Sequence, residues 1–139
     1  MKHIVDTEYK DAMTFVSTVN GHKVIIDANP EVGGRDLGPR PKELMLAALG
    51  GCTGMDVISI LKKMRVEVEY FNVKVEAEMT EEHPKHYTEM HIIYQFKGKD
   101  LPMEKLEKAI NLSQDRYCGV SEVYRKAMKL THEIQILNN

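Results

Sequence analysis

The sequence predicts an α+β fold in which antiparallel sheets are wrapped around a buried central helix. Two short stretches of alternating residues flank Asn20-Gly21, the residue pair most typical of a tight β-hairpin turn. An apolar stretch at residues 41–65 has the composition of a buried helix. Two more alternating stretches, two helical patterns and a last strand follow it. Antiparallel strands grouped around helices in this order are typical of the α+β class.

Three strands are predicted in the N-terminal part, at His3–Tyr9, Met13–Asn20 and His22–Ala28. The Asn20-Gly21 turn makes the second and third of them antiparallel neighbours. The next twelve residues, NPEVGGRDLGPR, are rich in Gly and Pro and contain Arg35 and Arg40, the first two arginines of the chain. A loop this long and irregular is typically functional.

The central helix is predicted from Pro41 to Arg65. Proline suits the first helical turn, and the carboxylate of Glu43 complements the positive end of the helix dipole. The stretch has almost no polar face, which predicts burial on more than one side. Gly50-Gly51 costs about 1 kcal/mol per residue relative to alanine, so we expect close approach by another backbone there. The stretch is too short and too interrupted by Gly, Thr and Asp to predict a membrane span.

The second half predicts a further antiparallel sheet with one face exposed to water. A strand is expected at Val66–Met79, with a bulge near Tyr70-Phe71 where the alternation changes phase. Its partner strand is Tyr87–Lys97, with Met90, Ile92, Tyr94 and Phe96 directed inward. The final strand is expected at Thr131–Leu137.

Two helices are predicted between these last strands. The first runs from Asp100 to about Gln114, and a break at residues 116–119 separates it from a shorter helix at about Val120–Met128. No internal repeat or linker interrupts the chain, so residues 1–139 are predicted to form one domain.

The composition excludes several classes of function. A net charge of −2 and a pI near 6.3 give no electrostatic basis for binding nucleic acid or an anionic membrane. The N-terminus has no apolar leader, so we expect a cytoplasmic protein, where structural disulfides are rare. Catalytic serine motifs, phosphate-binding loops and dinucleotide fingerprints are missing, and no cofactor is predicted. His83, His86 and His91 cluster around one hairpin, but a metal site needs three or four convergent ligands, and none is predicted.

Cys52 and Cys118 are the two cysteines of the chain. Cys118 is expected near a helix N-terminus and two residues after Arg116, and both features favour a thiolate. Cys52 lies in the middle of its helix, so its activation requires an external cation or hydrogen-bond donor. The residues alone leave two interpretations open, a redox pair or two inert buried thiols.

The loop arginines are the candidate activating cations. Arg35 and Arg40 flank Gly38-Pro39 immediately before the Cys52 helix. A guanidinium beside a thiol stabilises the thiolate and orients an oxygen-bearing substrate. The alternative is that both arginines are solvated loop residues.

The helix start PKELMLAALGGC, which ends at Cys52, and the segment RYCGVS around Cys118 resemble the OsmC/Ohr family. These are the osmotically inducible and organic-hydroperoxide-resistance proteins, and the resemblance covers most of the chain. It implies a two-cysteine peroxidase that acts on organic hydroperoxides or hydrogen peroxide. It also implies an intertwined homodimer with sites at the interface.

The resemblance assigns a role to each cysteine. Cys52 matches the peroxidatic thiol, which attacks the O–O bond and becomes a sulfenic acid. Cys118 matches the resolving thiol, which condenses with it to a disulfide that an external dithiol reduces. Arg35, Arg40 and Glu43 are the candidate activating residues beside them.

Two departures from the family pattern bear on activity. The family places a catalytic carboxylate directly after the proline, where this chain has Lys42, and Glu43 comes one residue later. The peroxidases also take an arginine from an N-terminal strand, whereas this chain has none before Arg35. These departures favour an alternative function, a redox sensor or small-molecule binding protein with little peroxidase turnover.

Overall fold

An antiparallel three-stranded sheet forms the first of two compact units in the computed structural model, which describes residues 1–138. This unit is Met1–Met45, and the second begins at Leu46. The strands are β1 (Asp6–Asp11), β2 (Thr14–Val19) and β3 (His22–Ile26), in the order β1-β2-β3. Asn20 and Gly21 have φ of 52° and 79° and form the hairpin turn between β2 and β3. The predicted antiparallel pairing is confirmed.

The loop after β3 packs tightly against the end of that strand. A Cβ atom at Gly34 would lie 1.9 Å from the carbonyl oxygen of Ala28, and one at Gly38 would lie 2.2 Å from that of Ile25. Only glycine fits at such backbone distances. The glycines that mark this segment as irregular therefore fix its path.

Helix α1 (Glu43–Lys63) is the long central helix, and it begins two residues later than predicted. It buries one stripe at four-residue spacing: Leu49, Thr53, Val57 and Leu61. Within this chain the opposite side stays open, since Met55 is 74% exposed. The expected burial on more than one side is therefore not found in the single chain. In length and composition alone, α1 would suffice to cross a membrane, as would the core helix of many soluble proteins.

The second unit contains a mixed sheet in the order β4-β5-β6. Its strands are β4 (Tyr70–Met79), β5 (Tyr87–Lys97) and β6 (Lys129–Ile136). The β4–β5 pair is antiparallel, but β6 runs parallel to β5. The prediction of a purely antiparallel sheet is wrong for β6, because the helical segment after β5 is long enough for a parallel crossover. The four inward residues predicted on β5 are all buried.

The predicted bulge at Tyr70-Phe71 is also wrong, because β4 only begins at Tyr70. Arg65 takes φ of 60°, and the N–H groups of Arg65 and Val66 bond to the carbonyls of Lys62 and Leu61. This is a Schellman ending of α1. The change of phase in the sequence therefore marks a helix end and a loop, and the irregular register lies between Glu78 and Met79.

The crossover from β5 to β6 consists of three consecutive helical segments. Helix α2 (Met103–Leu112) continues directly into a π-helical turn at Ser113–Tyr117, and helix α3 (Gly119–Ala127) follows after Cys118. The predicted break is present but shorter than expected, since only Cys118 separates the π-helical turn from α3. Such turns are rare and occur frequently at functional sites.

Replacing Gly34 by alanine should destabilise the protein by about 3 kcal/mol, since the new methyl group meets a backbone carbonyl that cannot yield. Gly21→Ala is the matched control. Its methyl group meets open space, so only the positive φ opposes it, at about 1 kcal/mol. Urea denaturation measures both. Equal losses would contradict the tight packing of the loop.

Candidate functional site

Cys52 lies on α1 beside the buried stripe. Its neighbour Thr53 is fully buried, and the side chain of Cys52 packs partly buried against the same apolar core. The residue one turn further along, Asp56, is partly buried. The Cys52 thiol is therefore partly exposed, and the buried stripe on either side of it holds this part of α1 in place.

Cys118 is placed by the π-helical turn. The N–H of Cys118 donates to the carbonyl of Ser113 at 2.7 Å, which closes the turn. The chain then opens to φ −78° and ψ 101°, and Cys118 becomes the N-cap of α3. Its sulfur accepts a hydrogen bond from the N–H of Ser121 at 3.4 Å. Cys118 lies at a helix N-terminus, as the sequence predicts, and it is buried, with 3% of its surface exposed.

The two thiols meet at the first turn of α3. Both are free. Cys52 has the Cys118 side chain and the backbone N–H of Val120 as hydrogen-bond partners. Successive N–H groups of one helix terminus therefore serve both sulfurs, Val120 for Cys52 and Ser121 for Cys118. The sequence predicts that Cys52 needs an external hydrogen-bond donor, and that donor is a backbone N–H group. No side-chain motif in the sequence identifies it.

The electrostatic surroundings of Cys52 oppose its ionisation. Burial raises the pKa of the Cys52 thiol, and the neighbouring Cys118 and the negative charge of Asp56 raise it further, while the Val120 N–H lowers it. The net pKa is raised. Sequence reasoning missed Asp56, although its position four residues after Cys52 places it on the same helix face.

Two tyrosines also surround Cys118. Burial raises the pKa of Tyr94 and that of Tyr124, and a negative charge on Cys118 would raise both further. The hydroxyl of Ser121 is buried in the first turn of α3 and has no hydrogen-bond partner within residues 1–138. Arg116 is exposed and lies over the ring of Tyr117, 5.7 Å from its centre.

The loop of the first unit holds its two arginines in ion pairs. Arg35 bonds to the carboxylate of Asp11 and, at 3.0 Å, to the hydroxyl of Thr14. Arg40 bonds to the carboxylate of Asp36 at 2.7 Å and to the side-chain oxygen of Asn29. Both guanidinium groups are therefore held by hydrogen bonds, while the side chain of Arg35 stays 45% exposed to solvent.

Asp27 organises this loop from beneath. It is 2% exposed and accepts hydrogen bonds from the Thr14 hydroxyl and from the N–H groups of Ala28 and Leu37. Burial raises the pKa of Asp27, but the hydrogen bonds, including one from the Arg35 N–H, outweigh it and leave the pKa lowered. Asp27 therefore stays charged and fixes both ends of the loop.

The predicted site residues thus fall into two groups. Cys52 and Cys118 are brought together in the second unit. Arg35, Arg40 and Glu43 belong to the first unit, where Glu43 is exposed in the first turn of α1 and forms no ion pair with any residue of the described chain. Among the histidines, His91 bonds to Thr131 at 2.7 Å and to Glu133 at 2.8 Å.

The fold and this thiol pair define an α+β protein with a two-cysteine centre. A family model described as "OsmC-like protein" matches residues 33–133. Protein YhfA of Escherichia coli K12 is 33% identical over 131 residues, which are 94% of this chain and 95% of YhfA. The chain belongs to the OsmC-like family.

Solved structures share the whole architecture. A hypothetical protein from Aquifex aeolicus has a TM-score of 0.81 and 31% identity, with 99% of this chain and 100% of that chain covered. The organic hydroperoxide resistance protein OhrB of Bacillus subtilis has a TM-score of 0.67 and 17% identity, with 97% and 98% covered. At 17% identity, the similarity to OhrB shows a shared fold.

We expect Cys52 to be a neutral thiol at pH 7, because its pKa is raised above the ordinary value of about 8.5. Only the thiolate is alkylated, so the rate of iodoacetamide modification at Cys52 should rise with pH through a midpoint above that value. Mass spectrometry of the Cys52 peptide follows the rate, and the urea-unfolded chain gives the reference. A midpoint below that of the unfolded chain would contradict the electrostatics described here.

Proposed function

We propose that this protein reduces organic hydroperoxides or hydrogen peroxide through its cysteine pair. The observation that carries the proposal is the meeting of Cys52 and Cys118 at the N-terminus of α3, with a backbone donor for each sulfur. Two thiols in contact are placed to be joined as a disulfide, and helix N–H groups stabilise negative charge on sulfur. Membership of the OsmC-like family adds to this support, and OhrB, which shares the fold, is named for organic hydroperoxide resistance.

The proposed peroxide reduction has three steps: oxidation of Cys52, formation of the disulfide and its reduction. The Cys52 thiolate attacks the outer oxygen of a hydroperoxide, the O–O bond breaks, and the leaving alkoxide takes a proton to become an alcohol. Cys52 is then a sulfenic acid. The Cys118 thiol displaces its hydroxyl group as water, and a Cys52–Cys118 disulfide forms. An external dithiol reduces the disulfide and is itself oxidised to a disulfide.

The proposal also needs a group that activates Cys52. Since burial, Cys118 and Asp56 keep the resting thiol protonated, the reaction requires a cation when the thiolate forms. Arg35 and Arg40 are the candidates, because hydrogen bonds hold the guanidinium group of each. Glu43 is the candidate carboxylate that orients the active arginine. The protein would work in the cytoplasm, without nucleic acid or membrane as a partner.

The proposal includes a homodimer. An apolar groove of about 670 Å³ lies between α1 and β4 in the second unit, lined by Gly51, Met55, Phe71 and Val73 among others. The sequence predicts a close backbone neighbour at Gly50-Gly51. A Cβ at Gly50 would lie 3.7 Å from the carbonyl oxygen of Val73, so β4 is that neighbour for Gly50, whereas a Cβ at Gly51 would meet nothing within 4 Å of this chain. A second copy packed against this face would bury Met55 and provide a neighbour for Gly51.

A redox sensor with little turnover is the second candidate. The raised pKa of Cys52 favours the low turnover of this candidate, because a thiol that is neutral at pH 7 attacks peroxides slowly. The ion pairs of Arg35 and Arg40 with Asp11 and Asp36 favour it too, since both cations are already engaged. A sensor would be oxidised once by one equivalent of peroxide, whereas a peroxidase would continue to consume peroxide while dithiol lasts.

Replacing Cys52 by serine should abolish consumption of cumene hydroperoxide in the presence of dithiothreitol, because serine is no nucleophile toward an O–O bond. Cys118→Ser is the matched control. Treated with peroxide after dithiothreitol has been removed, it should still consume one equivalent and leave a sulfenic acid at Cys52 that dimedone labels. An undiminished rate in the Cys52→Ser variant would sink the proposal. A single turnover by the wild type, with dithiol in excess, would favour the sensor.

Replacing Gly51 by glutamine should split the proposed dimer, since the longer side chain occupies the open face of α1. Within one chain the substitution meets no obstacle, so the monomer should remain folded. Lys63→Gln at the end of the same helix is the control. Sedimentation velocity distinguishes the two states, and a monomeric wild type at micromolar concentration would refute the dimer.

A further inference from the structure

A chain of buried polar side chains lies beneath the thiol pair. It consists of Tyr94, Thr53, Ser113 and Asp56, and we refer to it as the hydroxyl chain. The first three residues are fully buried. Their contacts are short, with 2.7 Å from Tyr94 to Thr53, 2.7 Å from Thr53 to Ser113 and 2.9 Å from Ser113 to Asp56. Buried hydroxyl groups are costly unless bonded, and here every member has a partner.

Counting protons fixes the direction of the hydroxyl chain. A carboxylate only accepts, so Ser113 donates its one hydroxyl proton to Asp56. The contact between Thr53 and Ser113 must then use the proton of Thr53, and the contact between Tyr94 and Thr53 must use that of Tyr94. The side-chain amide of Gln114 donates to the Tyr94 oxygen at 2.8 Å. The Asp56 carboxylate therefore sets the orientation of the three hydroxyl groups in the hydroxyl chain.

The hydroxyl chain connects the two segments that carry the thiols. Thr53 is the neighbour of Cys52 on α1. Ser113 begins the π-helical turn, and its carbonyl accepts the N–H of Cys118 at 2.7 Å. One residue, Ser113, thus holds Cys118 through its backbone and the Cys52 helix through its side chain.

A further contact ties α3 into the same assembly. Arg125 of α3 donates to the backbone carbonyl of Gln114 at 2.7 Å. Since α3 supplies the N–H groups for both sulfurs, its placement relative to the π-helical turn also affects the thiols.

We infer that Asp56 is a positioning residue, which through the hydroxyl chain holds Cys52 and Cys118 at the separation from which they form a disulfide. The inference rests on the proposed redox role of the pair and extends it to a group that touches neither substrate nor the forming bond. The negative charge of Asp56 works against thiolate formation at Cys52. Its contribution is therefore geometric, through the acceptor that it offers to Ser113.

The test compares Asp56→Asn with Asp56→Leu. Both substitutions remove the charge and keep a similar shape, but only asparagine retains an oxygen that accepts the Ser113 proton. Asp56 is only partly buried, so both variants should fold. Urea denaturation of each variant checks this. Each variant is equilibrated at pH 7 with defined ratios of reduced and oxidised dithiothreitol. The disulfide between Cys52 and Cys118 is then quantified by mass spectrometry.

The asparagine variant should retain a disulfide equilibrium constant near that of the wild type. In the leucine variant the disulfide equilibrium constant should be about 10- to 100-fold lower, as expected when reacting groups are misplaced. Equal constants in folded Asn and Leu variants would overturn the inference, as would a wild type that forms no such disulfide. Absence of peroxide turnover with the contrast between the variants intact would overturn only the proposed peroxidase function, because this assay contains no peroxide.

Discussion

The contact between the Cys52 and Cys118 thiols at the start of α3 is the constraint on which the rest of the site depends. The residues are 66 positions apart (118 − 52), and two features of the fold bring them together. The buried stripe of α1 fixes the position of Cys52. The π-helical turn after α2 ends the helix at Cys118, so that this residue caps α3. If either feature is removed, the two cysteines are no longer held together at the helix N-terminus that gives each sulfur its own N–H donor.

The surroundings of the pair favour contact between the sulfurs over reactivity. Burial, a second thiol and the Asp56 charge all raise the pKa of Cys52, and one backbone N–H opposes them. A carboxylate near a nucleophilic thiol is costly for catalysis, yet Asp56 has a structural use as the acceptor at the end of the hydroxyl chain. Fast chemistry would therefore need a cation near Cys52, the role proposed for Arg35 or Arg40. The same balance explains why the sensor remains the second candidate.

Much of the fold could be predicted because local patterns determine it. Asn20-Gly21 specifies a hairpin turn whatever surrounds it, and the alternation of β5 follows from one buried face. The parallel placement of β6 could not be predicted in this way, because strand direction depends on the path of the crossover. The phase change before Tyr70 was open to two explanations, and the positive φ of Arg65 decided for a helix end.

The site was only partly predictable for a similar reason. The two cysteines and the helix N-terminus at Cys118 are visible in the sequence. The donor for Cys52 is a backbone N–H of Val120, which any residue except proline would offer, so no motif identifies it. Thr53, Tyr94 and Ser113 are common residue types with wide separations in sequence. Only their convergence in three dimensions indicates a role.

The most direct test of this account is the covalent state of the chain after one equivalent of hydroperoxide. The reduced protein is treated, quenched with acid, digested without reductant and analysed by mass spectrometry. The account predicts an intrachain linkage that joins the peptides of Cys52 and Cys118, with the loss of two hydrogen atoms. Two unlinked thiols, or a sulfinic acid at Cys52 beside an unmodified Cys118, would contradict it.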